Sequence, residues 1–379
     1  MRFLGLSLLQ NRYPALHGLR FVAIVSVLQV HVTVTLHGFK LMQNGELAGL
    51  SQSVWFGMDL FFVLSGFLIG SMLLHQGGTG MGRFWLRRAF RTFPLYYFVL
   101  TALVLRADRR TWSTTSLLGE YFYLTNYMDR PREVMMSWGW SLCVEEHFYL
   151  LVPFLVFGLL RLKSARTQLL VLLGLFSMGL VSRFLVIALH GPFTAYSLAT
   201  SLYVPTHTRF DTLVAGLVLA HLCHHHDREL RALFARRAVR VGAWVLIVAC
   251  LTYLLLPQEL RPDVRIWSAL AWGTVTSVMW VSLVLLLLFH EGALSRFLGK
   301  KPFLWAATLG YGVYLVHIPL MVWVVAPIAA RLLIRRHWSI VPTWWASLGL
   351  LVVVSLAVAY VLHLLVEKPM LALRDRVAP

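Results

Sequence analysis

The sequence predicts an all-α, polytopic membrane protein of about ten transmembrane helices with both termini cytoplasmic, and three observations lead there. Of the 379 residues, 59% are hydrophobic and 13% charged, against roughly 45–50% apolar in a soluble domain. The apolar residues gather into runs, most of them about 17–25 residues long, and such a run crosses a bilayer as a helix because lipid offers its backbone amides no outside partner. The basic residues are distributed unevenly between the connecting loops, which orients the chain.

Spans are expected at 18–37, 54–74, 92–105, 138–160, 168–189, 207–223, 241–256, 266–289, 303–329 and 343–366. The third and seventh are short and need neighbouring turns to extend them. Ahead of the first span, the brief FLGLSLL run before Arg12 and Pro14 is too short, and lacks the small-residue cleavage site, for a removable signal peptide. With the N-terminus inside, the inner segments 1–17, 75–93, 161–167, 223–240, 290–302 and 367–379 hold 20 Lys and Arg. The outer loops 38–53, 106–137, 257–265 and 330–342 hold 11. The net charge of +18 reflects this bias and attraction to anionic head groups; with no soluble basic domain, nucleic acid is not an expected partner. No internal repeat or linker appears, so residues 1–379 form a single integral membrane domain.

Cys143, Cys223 and Cys250 have no CxxC spacing, which argues against a disulfide framework or zinc knuckle. HLCHHHDRE (221–229) clusters His221, Cys223, His224, His225 and His226. It reads either as a metal site or, preferably, as an interfacial helix end entering the basic segment RELRALFARRAVR.

The functional question begins in the first span, LRFVAIVSVLQVH (19–31). Arg20 and His31 are eleven positions apart, which on a helix is three turns plus roughly 20°, so they share a face about 16 Å apart along the axis. Arg20 either snorkels to the head groups or faces a ligand. His31 sits too deep to snorkel easily; ionisable groups at that depth face a bundle interior or a watery cavity and mark a functional path. A cation at the cytoplasmic mouth and a base deeper in suit a long ligand with an anionic head and a reactive tail. Acyl-coenzyme A has that shape: its phosphates suit arginine, and its pantetheine arm is of the right order of length to bring a thioester to His31. The same spacing also suits a channel or transporter.

Further motifs follow in order: GMDLFFVLSGFLIG (57–70), FWLRRAFRTFPLYYF (84–98), SWGWSLCVEEHFYLLVP (137–153), THTRFDTLVAGLVLA (206–220), LGYGVYLVHIPL (309–320) and VEKP (366–369). With the Arg-x10-His opening, LHGLRFVAIVSVLQVH, this order resembles acyltransferase family 3, over about residues 14–370. The resemblance implies a multi-pass enzyme of the bacterial plasma membrane that takes an acyl group, most commonly acetyl, from cytoplasmic acyl-coenzyme A to a hydroxyl of a carbohydrate or lipid-linked glycan of the cell envelope. Gly310 stands where the family commonly has a serine, which removes any hydroxyl role there. The chain runs about ten residues past VEKP, so the expectation is a membrane domain working without an appended soluble domain.

Arg87, Arg88 and Arg91 read either as positive-inside anchors or as partners of Arg20 in clamping phosphates, since guanidinium forks fit phosphate oxygens bidentately. Glu145 and Tyr149 lie at i and i+4, with Ser141 one turn earlier. Glu145, at the matched position of the family's WSLxxE pattern, is expected to orient or accept a proton from His31, or else to pair with an arginine such as Arg209; Glu146 reads either as merely interfacial or as a second functional acid. Arg209 and Asp211 form either an ion pair or, as preferred here, a polar wall for the acceptor. Tyr311, Tyr314 and His317 share a helix face, with Tyr149, Tyr314 and His317 as acceptor-lining candidates. Ser65 and Gly66 allow close helix approach, and nothing places a base and an oxyanion hole beside Ser65. The resulting expectation is an O-acyltransferase with His31 as general base on the acceptor hydroxyl, or as an acylated intermediate. No metal or redox cofactor is implied. The alternative is a transporter or exporter of an anionic or lipid-linked substrate without covalent chemistry.

Overall fold

The computed structural model describes residues 2–3, 6–7, 13–42, 56–77, 79–128, 133–191, 193, 197, 199–255 and 262–378. Of the outer loops expected over 38–53 and 257–265, residues 43–53 and 257–261 lie outside these. Apart from a two-residue antiparallel pair, Arg2–Phe3 with Leu6–Ser7, the described chain is built from helices. They are α1 Pro14–Gly38, α2 Gly57–His75, α3 Met81–Arg106, α4 Thr114–Tyr121, α5 Trp140–Leu160, α6 Ala165–His190, α7 Thr206–His225 and α8 Asp227–Ala235. After these come α9 Arg237–Leu255, α10 Pro262–Phe289, α11 Ala293–Leu298, α12 Lys301–Thr308, α13 Gly310–Leu320, α14 Ala326–Arg335, α15 Ile340–Leu362 and α16 Lys368–Val377.

Eight helical stretches among the described residues are long and apolar enough to cross a bilayer: α1, α2, Ser137–Leu160, α6, α9, Ala269–Phe289, Gly310–Arg335 and Ile340–Val377. The expected spans at 92–105 and 207–223 are helical, within α3 and α7, but do not join the eight. Both carry charge: α3 holds Arg83, Arg87, Arg88 and Arg91, and α7 holds Arg209 and Asp211. Helix α7 tolerates this because α2, α5, α6 and α10 pack around it, leaving Arg209 2% and Asp211 0% exposed. A helix walled off from lipid by protein does not need an apolar surface. The long expected span at 303–329 is divided into α12, α13 and α14, with a π turn at Met321–Val325 between the last two.

Burial separates centre from rim. The apolar window of α2 is 72% buried, that of α6 17% and that of α9 11%, so the peripheral helices turn side chains such as Phe184, Val245 and Val248 outward, as a lipid-facing surface requires. The closest packing joins α2 to α7. A Cβ at Gly66 would lie 2.0 Å from the Leu213 carbonyl oxygen, and one at Gly216 would lie 2.2 Å from that of Val63. The expected close approach at Gly66 is therefore real, and only glycine on both helices permits it.

The segment between α3 and α5 is a folded cap on the bundle. Tyr96 and Tyr97 of α3 donate their hydroxyls to the carbonyls of Glu120 (3.0 Å) and Tyr121 (2.8 Å) in α4. Glu120 Oε1 in turn accepts the Met136 backbone N–H at 2.5 Å. This fixes the turn that leads through Ser137–Gly139 into α5.

Candidate functional site

Helix α1 is unbroken from Pro14 to Gly38, so helix rise keeps Arg20 and His31 about 16 Å apart. Each meets different helices. Around Arg20 stand Arg88 and Arg91 of α3 and Glu145 and Tyr149 of α5, near enough to act on it electrostatically. Ser65 of α2 donates to Glu145 Oε1 at 2.5 Å, and Tyr149 hydrogen-bonds the same carboxylate. The Arg88 guanidinium lies 5.1 Å from the Tyr149 ring centre, and Trp85 Nε1 donates to the Tyr149 carbonyl at 3.0 Å. Arg20 and Arg88 face Glu145, Arg91 stands beside both arginines, and Glu146 also faces Arg88; three guanidinium groups against two carboxyls leave a positive excess suited to an anion. Glu146 takes a hydrogen bond from Thr92 of α3.

Arg87 does not join this cluster. Its Nη1 donates to the Ala378 carbonyl at 2.6 Å and its Nη2 lies 3.6 Å from Asp375, tying α3 to the C-terminal segment. One residue is 100° on a helix, enough to separate Arg87 from Arg88.

At the far end of α1 the partner of His31 is His317 of α13, not Glu145. The ring centres are 4.8 Å apart and His317 Nε2 lies 3.2 Å from His31 Nδ1. The surrounding acceptors assign the tautomers. His317 Nδ1 lies 2.6 Å from the Tyr314 carbonyl, which only accepts, so Nδ1 carries the proton and Nε2 of the neutral ring offers a lone pair. His31 Nδ1 must then be the donor, shared between that lone pair and the Val27 carbonyl at 2.9 Å. Among the described residues this leaves His31 Nε2 with its lone pair unengaged and the opposite nitrogen held by a third group, the arrangement an oriented general base requires. Glu145 therefore loses the orienting role toward His31 and belongs to the arginine cluster.

Tyr314 is committed to structure. Its hydroxyl donates to the Trp138 carbonyl at 2.5 Å and accepts from Ser141 at 2.6 Å, pinning the start of α5 to α13. Tyr311 donates to the Thr92 carbonyl at 2.9 Å. Arg209 and Asp211 make ion pairs, but not with each other. Arg209 meets Asp59 of α2 at 2.7 Å and Asp211 meets Arg183 of α6 at 2.7 Å, while Trp272 Nε1 donates to the second Asp59 oxygen at 3.0 Å. The preferred polar wall is replaced by a buried network joining α2, α6, α7 and α10.

With this geometry in view, comparison with known families is decisive. A family model described as an acyltransferase domain matches residues 13–364. The chain belongs to acyltransferase family 3. It is 26% identical over 339 residues to the peptidoglycan O-acetyltransferase OatA of Listeria monocytogenes, covering 81% of this chain and 49% of that protein. It is 24% identical over 329 residues to the O-acetyltransferase OatA of Staphylococcus aureus, covering 82% and 51%. The chain thus spans about half the length of these relatives. No solved structure matches it.

Among the described residues of this family member, no group of three or more His, Cys, Asp or Glu is placed to hold a metal ion. The histidines at the end of α7 pack ring against ring, His221 on His225 at 4.4 Å and His224 on His75 of α2 at 5.1 Å. Sequence reasoning passed over Asp59, Arg183 and Trp138. The first two are charges inside apolar runs, a signal that was available; Trp138 has none beyond its place beside WSL.

Glu120, in the cap and outside the spans, also went unremarked. Burial pushes its carboxyl up to about 7 against the pull of the Met136 and Met135 N–H groups. The unfolded chain, at its ordinary 4.5, gives up this proton first, so the group's contribution is fully present below pH 4.5 and is lost as pH rises through 7. Unfolding followed at pH 5 and pH 8 should show a loss at the higher pH of about 2.5 kcal/mol from this residue. Glu120→Gln should abolish that component; an unchanged pH dependence in the variant would remove Glu120 as its source.

Proposed function

We propose that this protein is a membrane O-acyltransferase that uses acyl-coenzyme A as donor and a hydroxyl of a peptidoglycan-type carbohydrate as acceptor. The observation that carries the reading is the division of α1: an arginine cluster at one end, and about 16 Å away by helix rise a histidine whose Nε2 is unengaged among the described residues and whose Nδ1–H is held by His317. The Listeria relative is a peptidoglycan O-acetyltransferase, which supports both the reaction and the acceptor class.

In this reading Arg20, Arg88 and Arg91 hold the donor's phosphates and Glu145, fixed by Ser65, holds the guanidinium groups in place. His31 Nε2 takes the proton from the acceptor hydroxyl as its oxygen attacks the thioester carbonyl. The new C–O bond forms, the C–S bond breaks, and the proton passes from His31 to the departing thiolate. His317 Nε2 accepts from His31 Nδ1–H throughout and stabilises the transient imidazolium.

Purified protein with labelled acetyl-coenzyme A and soluble peptidoglycan fragments should release free coenzyme A in step with acceptor acetylation. Binding without release across a panel of acceptors would favour a transporter. Sidedness is checked in parallel. With the three native cysteines replaced, a cysteine at exposed Thr115 should react with an impermeant maleimide in intact cells, and one at exposed Ala232 should not. The opposite pattern would place the arginine cluster away from cytoplasmic donor.

A further inference from the structure

The cap delivers one side chain to the histidine pair for which the proton transfers above have no use. Trp138 sits in the short turn Ser137–Gly139 and is 6% exposed. Its ring centre is 6.2 Å from that of His317, with the planes at 72°. Its indole Nε1–H is buried and has no acceptor among the described residues. A buried donor without an acceptor is costly, and beside a reacting centre a ligand oxygen removes that cost.

The residue is also held unusually well for a loop position. Its carbonyl accepts the Tyr314 hydroxyl at 2.5 Å, and Tyr314 is one turn from His317 on α13. The Gly139 N–H closes the turn on the Met136 carbonyl at 2.7 Å, and the Met136 N–H is taken by Glu120 at 2.5 Å. Such a donor needs no reorganisation when charge develops nearby, the condition under which a single hydrogen bond contributes most to a transition state.

We propose that the Trp138 Nε1–H is the hydrogen-bond donor to the acyl carbonyl oxygen reacting at the His31–His317 pair. The proposal rests on the acyltransferase reading and adds a catalytic residue to it. When the acceptor oxygen adds to the thioester carbon, the carbonyl π electrons move onto the oxygen; the indole N–H donates to that oxyanion and releases it as the C–S bond breaks and the carbonyl re-forms. No proton leaves the indole.

The test replaces the N–H and little else. Trp138→3-benzothienylalanine exchanges the N–H for sulfur within a ring of nearly the same shape, and Trp138→Phe removes the N–H together with part of the ring. Both should lower kcat by about 10²–10³, the usual loss for one oxyanion donor, with KM for acetyl-coenzyme A unchanged. The benzothienyl protein should keep the wild-type melting temperature. Independently of turnover, the ¹⁵N-indole signal lost in Trp138→Phe should move downfield in the wild-type protein on saturation with acetonyl-coenzyme A, a ketone analogue of the donor. Wild-type turnover in the benzothienyl protein, or an indole signal unmoved by the analogue, overturns the role of Trp138 while leaving the acyltransferase reading intact. A wild-type protein that releases no coenzyme A with any acceptor overturns both.

Discussion

His31→Ala should cut turnover by about 10²–10⁴, the usual scale for a general base, while leaving affinity for acyl-coenzyme A nearly unchanged. Arg20→Ala should fail the other way, mainly by raising KM for the donor. The split follows from position: the two residues occupy one helix but different neighbourhoods, Arg20 among Arg88, Arg91 and Glu145 and His31 against His317. Arg20→Lys should rescue only partly, because an ammonium keeps the charge and loses the bidentate fork. Glu145→Gln belongs with Arg20, since its partner is Ser65, and should act chiefly on KM. His317→Gln, which offers an acceptor to His31 Nδ1–H, should retain more turnover than His317→Ala. Donor binding by calorimetry in detergent, set beside kcat and KM, separates these outcomes. Lost binding in His31→Ala with full binding in Arg20→Ala would refute the head-and-tail arrangement.

The second large effect is expected on stability. Asp59→Ala or Arg209→Ala leaves an uncompensated charge at a site where the partners are 0% and 2% exposed, and breaking such a pair costs about 3–5 kcal/mol. The double variant Asp59→Leu/Arg209→Leu should recover much of this loss, because no charge is then stranded. Melting in detergent, followed by the monodisperse fraction after heating, reads the effect. If the single variants melt like the wild type and instead raise KM for the acceptor, Arg209 lines a substrate path after all. Arg183 and Asp211 should behave alike, with little room for adjustment: a Cβ at Gly273 would lie 2.5 Å from the Asp211 carboxylate.

Composition and period were enough to read the membrane class, the all-α fold, the helical setting of every motif and the shared face of Arg20 and His31, because each depends on local order along one helix. Some of the site was nearly legible by the same rule. Arg209 and Asp211 are two residues apart, about 200° on a helix, so they point to opposite sides and each needs a partner elsewhere; treating them as one pair or one wall ignored that angle. Arg88 and Arg91 share a face, and so do Arg87 and Arg91, and periodicity does not say which face meets Arg20 and which meets Asp375. The pairing of His31 with His317, 286 positions away, the assignment of Glu145 to Ser65 and the arginines, and the setting of Trp138 beside His317 came only from the tertiary structure. Periodicity tells which residues share a helix face; which face of another helix packs against it is decided by close contacts such as Gly66 on Gly216, formed between residues far apart in the chain.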